Sequence, residues 1–137
     1  MQKRVETRAE VQTYLDRLKY ALDNGANINI QVDRWVDANR SPEYTNRYTI
    51  ADLFPGEDPV VAVKRELRSL TVENYVETVK DTNFPERSDW RVFGKTYFNT
   101  KEVYIKLRVE VQVRNFVFVM SFHYTTIPFA DLVFPFV

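Results

Sequence analysis

Residues 101–125, KEVYIKLRVEVQVRNFVFVMSFHYT, decide the fold because apolar and polar side chains alternate along them. Alternation with many β-branched and aromatic residues is typical of half-buried strands. The polar break in the run falls at Arg114-Asn115, and asparagine tolerates the positive φ that a two-residue turn requires. The stretch therefore predicts a β-hairpin that reverses its direction at these two residues.

This turn sets the register of the predicted hairpin, since successive side chains alternate between the two faces of a strand. The apolar face would contain the pairs Val109–Met120, Leu107–Phe122 and Ile105–Tyr124. On the opposite face Lys106 would lie beside His123. We expect the apolar face to be core and the other face to be solvated, because a slip by one residue would bury Lys106 and Arg108.

Length and composition predict a single domain spanning residues 1–137. The chain is 45% hydrophobic and 15% aromatic, which excludes an intrinsically disordered protein. No apolar run approaches the length of a membrane span, and the first eight residues lack the apolar segment of a secretory signal. We therefore expect a soluble, cytoplasmic protein without a membrane partner.

Charge and cysteine content limit the chemistry. Nineteen basic residues balance nineteen acidic ones, so the whole molecule offers no general attraction to nucleic acid. Between residues 91 and 114, however, the sequence contains six Lys and Arg residues but only two Glu residues, which gives a local basic excess of four. One histidine and no cysteine provide neither a zinc site nor a catalytic triad, and the three glycines form no nucleotide-binding motif. No metal or cofactor is predicted.

Two helices are predicted around the sheet. Thr7 and Glu10 have capping-box spacing, and an apolar stripe continues until Gly25, which predicts a helix over residues 8–23. Asp58-Pro59 provides an N-cap followed by proline at the first helical position, which predicts a helix over about residues 59–70. Residues 49–53 have the composition of a single helical turn.

The remaining segments predict strands and an apolar tail. Residues 27–36 indicate an edge strand, residues 75–79 a short strand, and residues 90–98 a strand that ends at a two-residue turn, Asn99-Thr100. The tail from residue 126 is too apolar to remain in water, so we expect it to pack on the core. The fold class is therefore α+β, an antiparallel sheet with two helices packed on one face.

The second turn would extend the polar face over three strands. With a two-residue loop, Lys95 would lie opposite Tyr104 and Arg91 opposite Arg108. The face would then collect Arg91, Lys95, Tyr104, Lys106, Arg108 and His123.

These residue types suit the cleavage of RNA by its own 2′-hydroxyl. That reaction needs a base near the hydroxyl, an acid near the leaving oxygen and cations around the phosphate. His123, Tyr104 and Lys106 are the predicted catalytic residues, and Arg91, Lys95 and Arg108 the predicted substrate-binding residues. The alternative is an ordinary solvated sheet face, which also carries Lys, Arg and Glu, and Glu110 on the same face favours that interpretation.

Three runs resemble a known family: LRSLTVENYVETVKD at residues 67–81, WRVFGKTYFNTKEVYIKLRVEV at 90–111 and VMSFHYTTIPF at 119–129. They are similar to the MqsR branch of the RelE-like mRNA interferases, which are toxins of bacterial type II toxin–antitoxin systems. Tyr104 stands where the family places a catalytic or RNA-contacting tyrosine, Lys106 follows in the same motif, and His123 belongs to the SFH ending.

The resemblance implies a RelE-like α+β fold and a metal-independent endoribonuclease that cuts mRNA, free or on the ribosome. It also implies a partner, the cognate antitoxin protein, which would neutralise the activity. The chain departs from the family in its neutral overall charge and in the lack of a basic C-terminal residue. A non-enzymatic module that binds protein or RNA, an inactive or repurposed relative, is therefore the alternative function.

Overall fold

The computed structural model describes residues 2–32, 41–110 and 115–137, and within them it forms one six-stranded sheet. The strands are β1 (Gln2–Arg4), β2 (Asn27–Ile30), β3 (Tyr75–Lys80), β4 (Trp90–Tyr97), β5 (Lys101–Glu110) and β6 (Phe116–Tyr124). Their order is β1-β3-β4-β5-β6-β2. All neighbouring strands are antiparallel except β2, which runs parallel to β6. The predicted α+β class with a largely antiparallel sheet is confirmed.

Three helices occur in the described residues, one more than predicted: α1 (Arg8–Asp23), α2 (Asn46–Leu53) and α3 (Pro59–Arg68). Helix α1 has the predicted bounds and the predicted capping box between Thr7 and Glu10. Helix α3 starts at the predicted proline and ends two residues earlier than expected. Helix α2 extends the expected single turn to eight residues because the Thr45 side chain accepts a hydrogen bond from the Tyr48 amide and caps it.

The three helices pack on one side of the sheet, which we call the helix face. Apolar side chains of all three contribute to a single core cluster there. The sheet contributes Val103, Ile105, Leu107 and Val109 from β5 and Val117, Val119 and Phe122 from β6. Burial of this apolar surface is the main stabilising contribution to the fold.

The predicted register of the β5–β6 hairpin is wrong. Glu110 pairs with Phe116, whereas a turn at Arg114-Asn115 would have paired Val113 with Phe116. Residues 111–114 lie outside the described part of the chain. The register also shifts between Lys106 and Leu107, where β6 contains one extra residue, Met120, between the partners of those two positions.

This irregularity changes which β6 side chains are buried in the main core. Val117 and Val119 face the helices, whereas the predicted register had placed Met120 on that face. On the His123 side of the irregularity, the alternation of side chains along β6 again agrees with the prediction. Phe122 faces the helices there and packs in the main core opposite Ile105.

The predicted register of the β4–β5 hairpin is also wrong, by one residue. Gly94 pairs with Tyr104 and Tyr97 with Lys101, so the connection has three residues. The amide of Thr100 donates to the carbonyl of Tyr97 across Phe98 and Asn99, both of which have positive φ. Each side chain of β4 therefore lies on the face of the sheet opposite to the one predicted for it.

The side of the sheet opposite the helices, the far face, is not the solvated surface that we expected. A second apolar cluster lies there, made of Val76, Val79, Trp90 and Val92, with Tyr104, Phe118, Met120 and Phe134 packed against it. The C-terminal tail supplies Phe134 and therefore packs back on the sheet, as predicted.

The two sheet edges differ from each other. The predicted edge strand over residues 27–36 is confirmed at Asn27–Ile30, is wrong at residues 31 and 32, which are not in a strand, and over residues 33–36 lies outside the described residues. The predicted short strand is confirmed as β3, whereas β1, which pairs with it, was not predicted. Three residues are too few for alternation to be detected.

Candidate functional site

Tyr104 and His123 are direct cross-strand partners at the centre of the far face. Their rings stack with centroids 5.5 Å apart and an angle of 23° between the planes. Nδ1 of His123 lies 2.9 Å from the carbonyl oxygen of Tyr124, which can only accept, so Nδ1 carries the proton. In the neutral ring Nε2 is then the nitrogen that carries no proton, which is the form that a general base requires.

Lys106 lies two residues along β5 from Tyr104, and its cross-strand partner is Ser121. The predicted direct pair of Lys106 and His123 is therefore wrong, because the observed register places Tyr104 opposite the histidine. Lys106 remains a diagonal neighbour of His123 on the same face, and its Nζ lies 5.7 Å from the centre of the Trp90 ring. The three predicted catalytic residues are thus brought together, in a different order.

Burial of this site is greater than the sequence indicated. His123 is 5% exposed and Ser121 is 3% exposed, whereas Tyr104 and Lys106 are partly exposed. The edge of β6 beside His123 is covered by α2 rather than by another strand. Asn46 bonds to the backbone of Met120 and Phe122, and Thr49 accepts from the amide of Tyr124.

Arg108 lies two residues after Lys106 on β5 and packs against two aromatic side chains, Trp90 and Phe118. Its guanidinium carbon is 4.6 Å from the centre of the Trp90 ring and 5.3 Å from that of Phe118, which is cation–π geometry. The side chain is only 10% exposed, and its Nε and Nη1 atoms have no hydrogen-bond partner among the described residues. A buried guanidinium without hydrogen bonds is costly, so this side chain stands out among those of the far face.

The charges around Arg108 do not neutralise it well. Glu110 Oε1 is 3.9 Å from Nε and already accepts hydrogen bonds from the amide and hydroxyl of Ser88. Burial, and then the nearby charge of Arg87, lower the pKa of Arg108, whereas Glu110 and Asp81 act in the opposite direction. Arg87 therefore adds positive charge near Arg108, whereas Glu110 and Asp81 add negative charge at the same end of the far face.

Arg91 and Lys95 do not join this group, and the prediction that placed them there is wrong. In the three-residue hairpin Arg91 pairs with Leu107 and Lys95 with Val103, so both side chains lie on the helix face. Arg91 Nε donates to Glu6 Oε1 at 2.9 Å, and Lys95 Nζ is 3.7 Å from a Glu66 carboxylate oxygen. Their role in substrate binding stays a prediction, now without the geometry that motivated it.

Arg91 belongs to a buried polar network that is hydrogen-bonded throughout. Glu6 receives bonds from Arg91 and from the Thr78 hydroxyl, and its own amide donates to the Tyr75 hydroxyl. Burial alone would raise the pKa of Glu6, but the bonds from Arg91 and Thr78 and the charges of Arg91 and Arg4 offset this, and the pKa lies below its usual value. This network connects β1, β3 and β4, which is a structural role.

The C-terminal tail lies directly beside Tyr104. The amide of Phe129 donates to Glu102 Oε1 at 3.0 Å, two residues before Tyr104 on β5. On β4, the cross-strand partner of Tyr104 is Gly94, and a Cβ atom there would be 2.8 Å from Cζ of both Phe129 and Phe134. The sequence analysis predicted that the tail packs on the protein, but not that it packs against the candidate site.

Sequence analysis also missed Arg87 and the aromatic surround of Arg108. Trp90 and Phe118 were interpreted as ordinary core residues, and Arg87 lies in the loop between β3 and β4, where pattern carries little information. Trp90 and Arg108 come together only in the observed register, in which Arg91 pairs with Leu107, whereas the predicted two-residue turn placed Arg91 opposite Arg108.

Within residues 2–32, 41–110 and 115–137, no group of three or more His, Asp or Glu side chains is arranged to hold a metal ion. Helices long and apolar enough to cross a bilayer are likewise not found in that part of the chain. Comparisons with protein-family models, with curated proteins and with solved structures gave no match to this chain.

Proposed function

We propose that the protein is a RelE-like toxin of a type II toxin–antitoxin pair, an endoribonuclease that cuts mRNA without a metal at Tyr104, His123 and Lys106. The observation that carries the proposal is the stacked Tyr104–His123 pair with Lys106 as its neighbour. A phenol, an imidazole and an ammonium group within one cross-strand cluster are the groups that acid–base cleavage of RNA requires.

The roles follow from the chemistry of each group. His123, whose Nδ1 proton is held by the Tyr124 carbonyl, accepts the 2′-hydroxyl proton at Nε2. Tyr104 donates to the leaving 5′ oxygen or stacks on a base, and Lys106 stabilises the charge on the crowded phosphate. The bond from phosphorus to the 5′ oxygen breaks as the bond to the 2′ oxygen forms, which leaves a 2′,3′-cyclic phosphate.

The surroundings of Arg108 favour an anionic substrate over a neutral one. Its charge is buried and weakly paired, and Arg87 and Lys106 add positive charge around Trp90. An RNA phosphate beside Trp90 would offset the cost of burying this guanidinium, since hydrogen bonds between a guanidinium and a phosphate are strong. We assign Arg108 to the phosphate next to the one that is cut.

The competing function is a non-enzymatic binding module, and one observation favours it. His123 is 5% exposed, so the imidazole is nearly closed off from substrate in this conformation. The exposed edge of β2 offers such a module a site for strand addition, and an apolar cleft of Ile28, Ile30, Val60 and Phe116 lies beside it.

RNA cleavage in the presence of EDTA tests the proposal. The purified protein should cut single-stranded RNA and leave a 2′,3′-cyclic phosphate. The matched control is the same oligonucleotide with 2′-deoxyribose at the cleaved position, which should bind but remain intact. Binding of both oligonucleotides without cleavage of either would support the module instead.

Expression alone in a bacterial host tests the toxin assignment. Growth should slow when the protein is made in soluble form, and the product of the adjacent gene should relieve the effect by binding it. The control is the His123→Ala variant at the same soluble level. Normal growth with the unaltered protein at verified soluble expression would contradict a toxin.

A further inference from the structure

The C-terminal tail, residues 126–137, packs on the far face beside the candidate site. Phe129 and Phe134 pack edge to face, with centroids 5.2 Å apart, and both rings rest on Gly94. Gly94 is the cross-strand partner of Tyr104, so the two rings occupy the far face on the β4 side of that tyrosine. His123 occupies the β6 side.

The glycine is what lets the tail approach so closely. Its φ is not positive, so the strand itself does not require glycine there. A methyl group at this position would be 2.8 Å from both phenyl rings, well inside ordinary contact distance. The tail therefore packs directly on the backbone of residue 94. Glycine fits this position because a side chain there would clash with the two rings.

The tail is attached weakly compared with the rest of the fold. No residue from 125 to 137 is fully buried, and the contacts that hold the tail on the sheet include the Phe129–Glu102 hydrogen bond, the two rings on Gly94, the packing of Phe134 on the second apolar cluster and the stacking of Phe136 on Tyr75, with centroids 5.9 Å apart. Segments with few buried contacts open locally at low free-energy cost. The tail can therefore leave the far face without unfolding the core.

We propose that residues 126–137 form an autoinhibitory strap, which keeps RNA from Tyr104 and His123 while it lies on Gly94 and exposes them when it is released. The inference rests on the proposed function and on the position of the two rings beside Tyr104, the direct cross-strand partner of His123. RNA binding and the docked tail then exclude each other, because both need the same part of the far face.

Full-length variants that loosen the tail test this inference. Gly94→Ala adds the methyl group that the two rings exclude, and the double variant Phe129→Ala/Phe134→Ala removes the rings while leaving Gly94 unchanged. Val133→Ala is the matched control, since Val133 is a tail residue whose side chain is 76% exposed. If Gly94→Ala does not fold, the double variant carries the test.

Four readouts separate the strap from the activity. Hydrogen exchange of the Phe129 amide reports release of the tail. Diethyl pyrocarbonate modification reports exposure of His123, which is the only histidine in the chain. Affinity for an uncleavable 2′-deoxy oligonucleotide and the rate of RNA cleavage report access of substrate.

We expect both loosened variants to show faster exchange, faster histidine modification and tighter oligonucleotide binding, each by roughly tenfold, because release raises the fraction of open molecules. Val133→Ala should match the unaltered protein. Faster exchange of the tail with unchanged histidine modification and affinity would overturn the strap, whether or not the protein cuts RNA. Faster histidine modification without any RNA cleavage would uphold the cover and contradict the nuclease.

Discussion

The two faces of the sheet each hold one largely covered arginine, and the two arginines have opposite surroundings. On the helix face, Arg91 donates to Glu6, lies 4.4 Å from the centre of the Tyr14 ring, and belongs to a network whose members all have partners. On the far face, Arg108 lies between two aromatic rings, and two of its nitrogens have no hydrogen-bond partner among the described residues.

This difference is the basis for assigning Arg91 to the fold and for proposing that Arg108 binds a ligand. A buried ion pair with complete hydrogen bonding connects strands and is expensive to break. A buried cation without such bonds destabilises the fold unless something else binds it. The far face also carries the Tyr104–His123 pair and the tail, so Arg108 lies on the same face as the candidate site.

The largest expected effect is on the far face, at Tyr104. Tyr104→Phe removes the phenolic proton but keeps the ring on His123, so the fold should be retained. We expect RNA cleavage to fall by roughly 10²–10⁴, the usual contribution of a positioned general acid. The measurement is the single-turnover rate at matched melting temperature, and Tyr20→Phe, at an exposed tyrosine on α1, is the control. Full activity of Tyr104→Phe would reduce the tyrosine to a packing role.

The next effect is on the helix face. Arg91→Leu leaves the Glu6 carboxylate buried without its main partner, which should lower the free energy of unfolding by about 3 kcal/mol. Urea unfolding at pH 7 measures it. The rate of RNA cleavage per folded molecule should stay close to that of the unaltered protein. A large loss of this rate in a fully folded variant would show that Arg91 contributes to the candidate site.

The same pair predicts a pH dependence. Because the pKa of Glu6 in the folded protein lies below its usual value, its ionised form stabilises the fold above about pH 4.3, and this contribution is lost as the pH falls. The stability difference between Arg91→Leu and the unaltered protein should therefore be largest at neutral pH and shrink below about pH 4. Urea midpoints from pH 7 to pH 3 measure this, and a constant difference would contradict the assignment.

The smallest expected effect distinguishes Arg108. Arg108→Leu should change the free energy of unfolding by no more than about 1 kcal/mol, or raise it, because an apolar side chain between Trp90 and Phe118 needs no hydrogen bonds. Affinity for RNA should fall by roughly tenfold, and the salt dependence should decrease by about one phosphate contact. Arg8→Ala, at an exposed arginine of α1, is the charge-matched control. A large loss of stability with unchanged affinity would make Arg108 a structural residue.

Local signals in the sequence predicted the elements better than their registers. Helix α1 was predicted at its full length because its capping box and apolar stripe are properties of neighbouring residues. The β4–β5 loop was assigned two residues instead of three because positive φ at Phe98 has no sequence signature. The bulge at Met120 was also invisible, since FVFVM is apolar in both phases of a strand.

The candidate site was predicted in part for the same reason. Tyr104, Lys106 and His123 remained on one face because the two-residue error in that half of the β5–β6 register preserves alternation. Arg91 and Lys95 were misplaced because the one-residue error in the β4–β5 hairpin reverses it. The tail on Gly94 depends on contacts between residues about 35 to 40 positions apart, which no local pattern encodes.

The most direct test of the central claim is RNA cleavage by His123→Ala in EDTA, measured beside the unaltered protein at matched melting temperature. We predict that the unaltered protein leaves a 2′,3′-cyclic phosphate and that the folded variant cleaves roughly 10²–10⁴ times more slowly while still binding the oligonucleotide. Cleavage by His123→Ala at the rate of the unaltered protein would contradict the account.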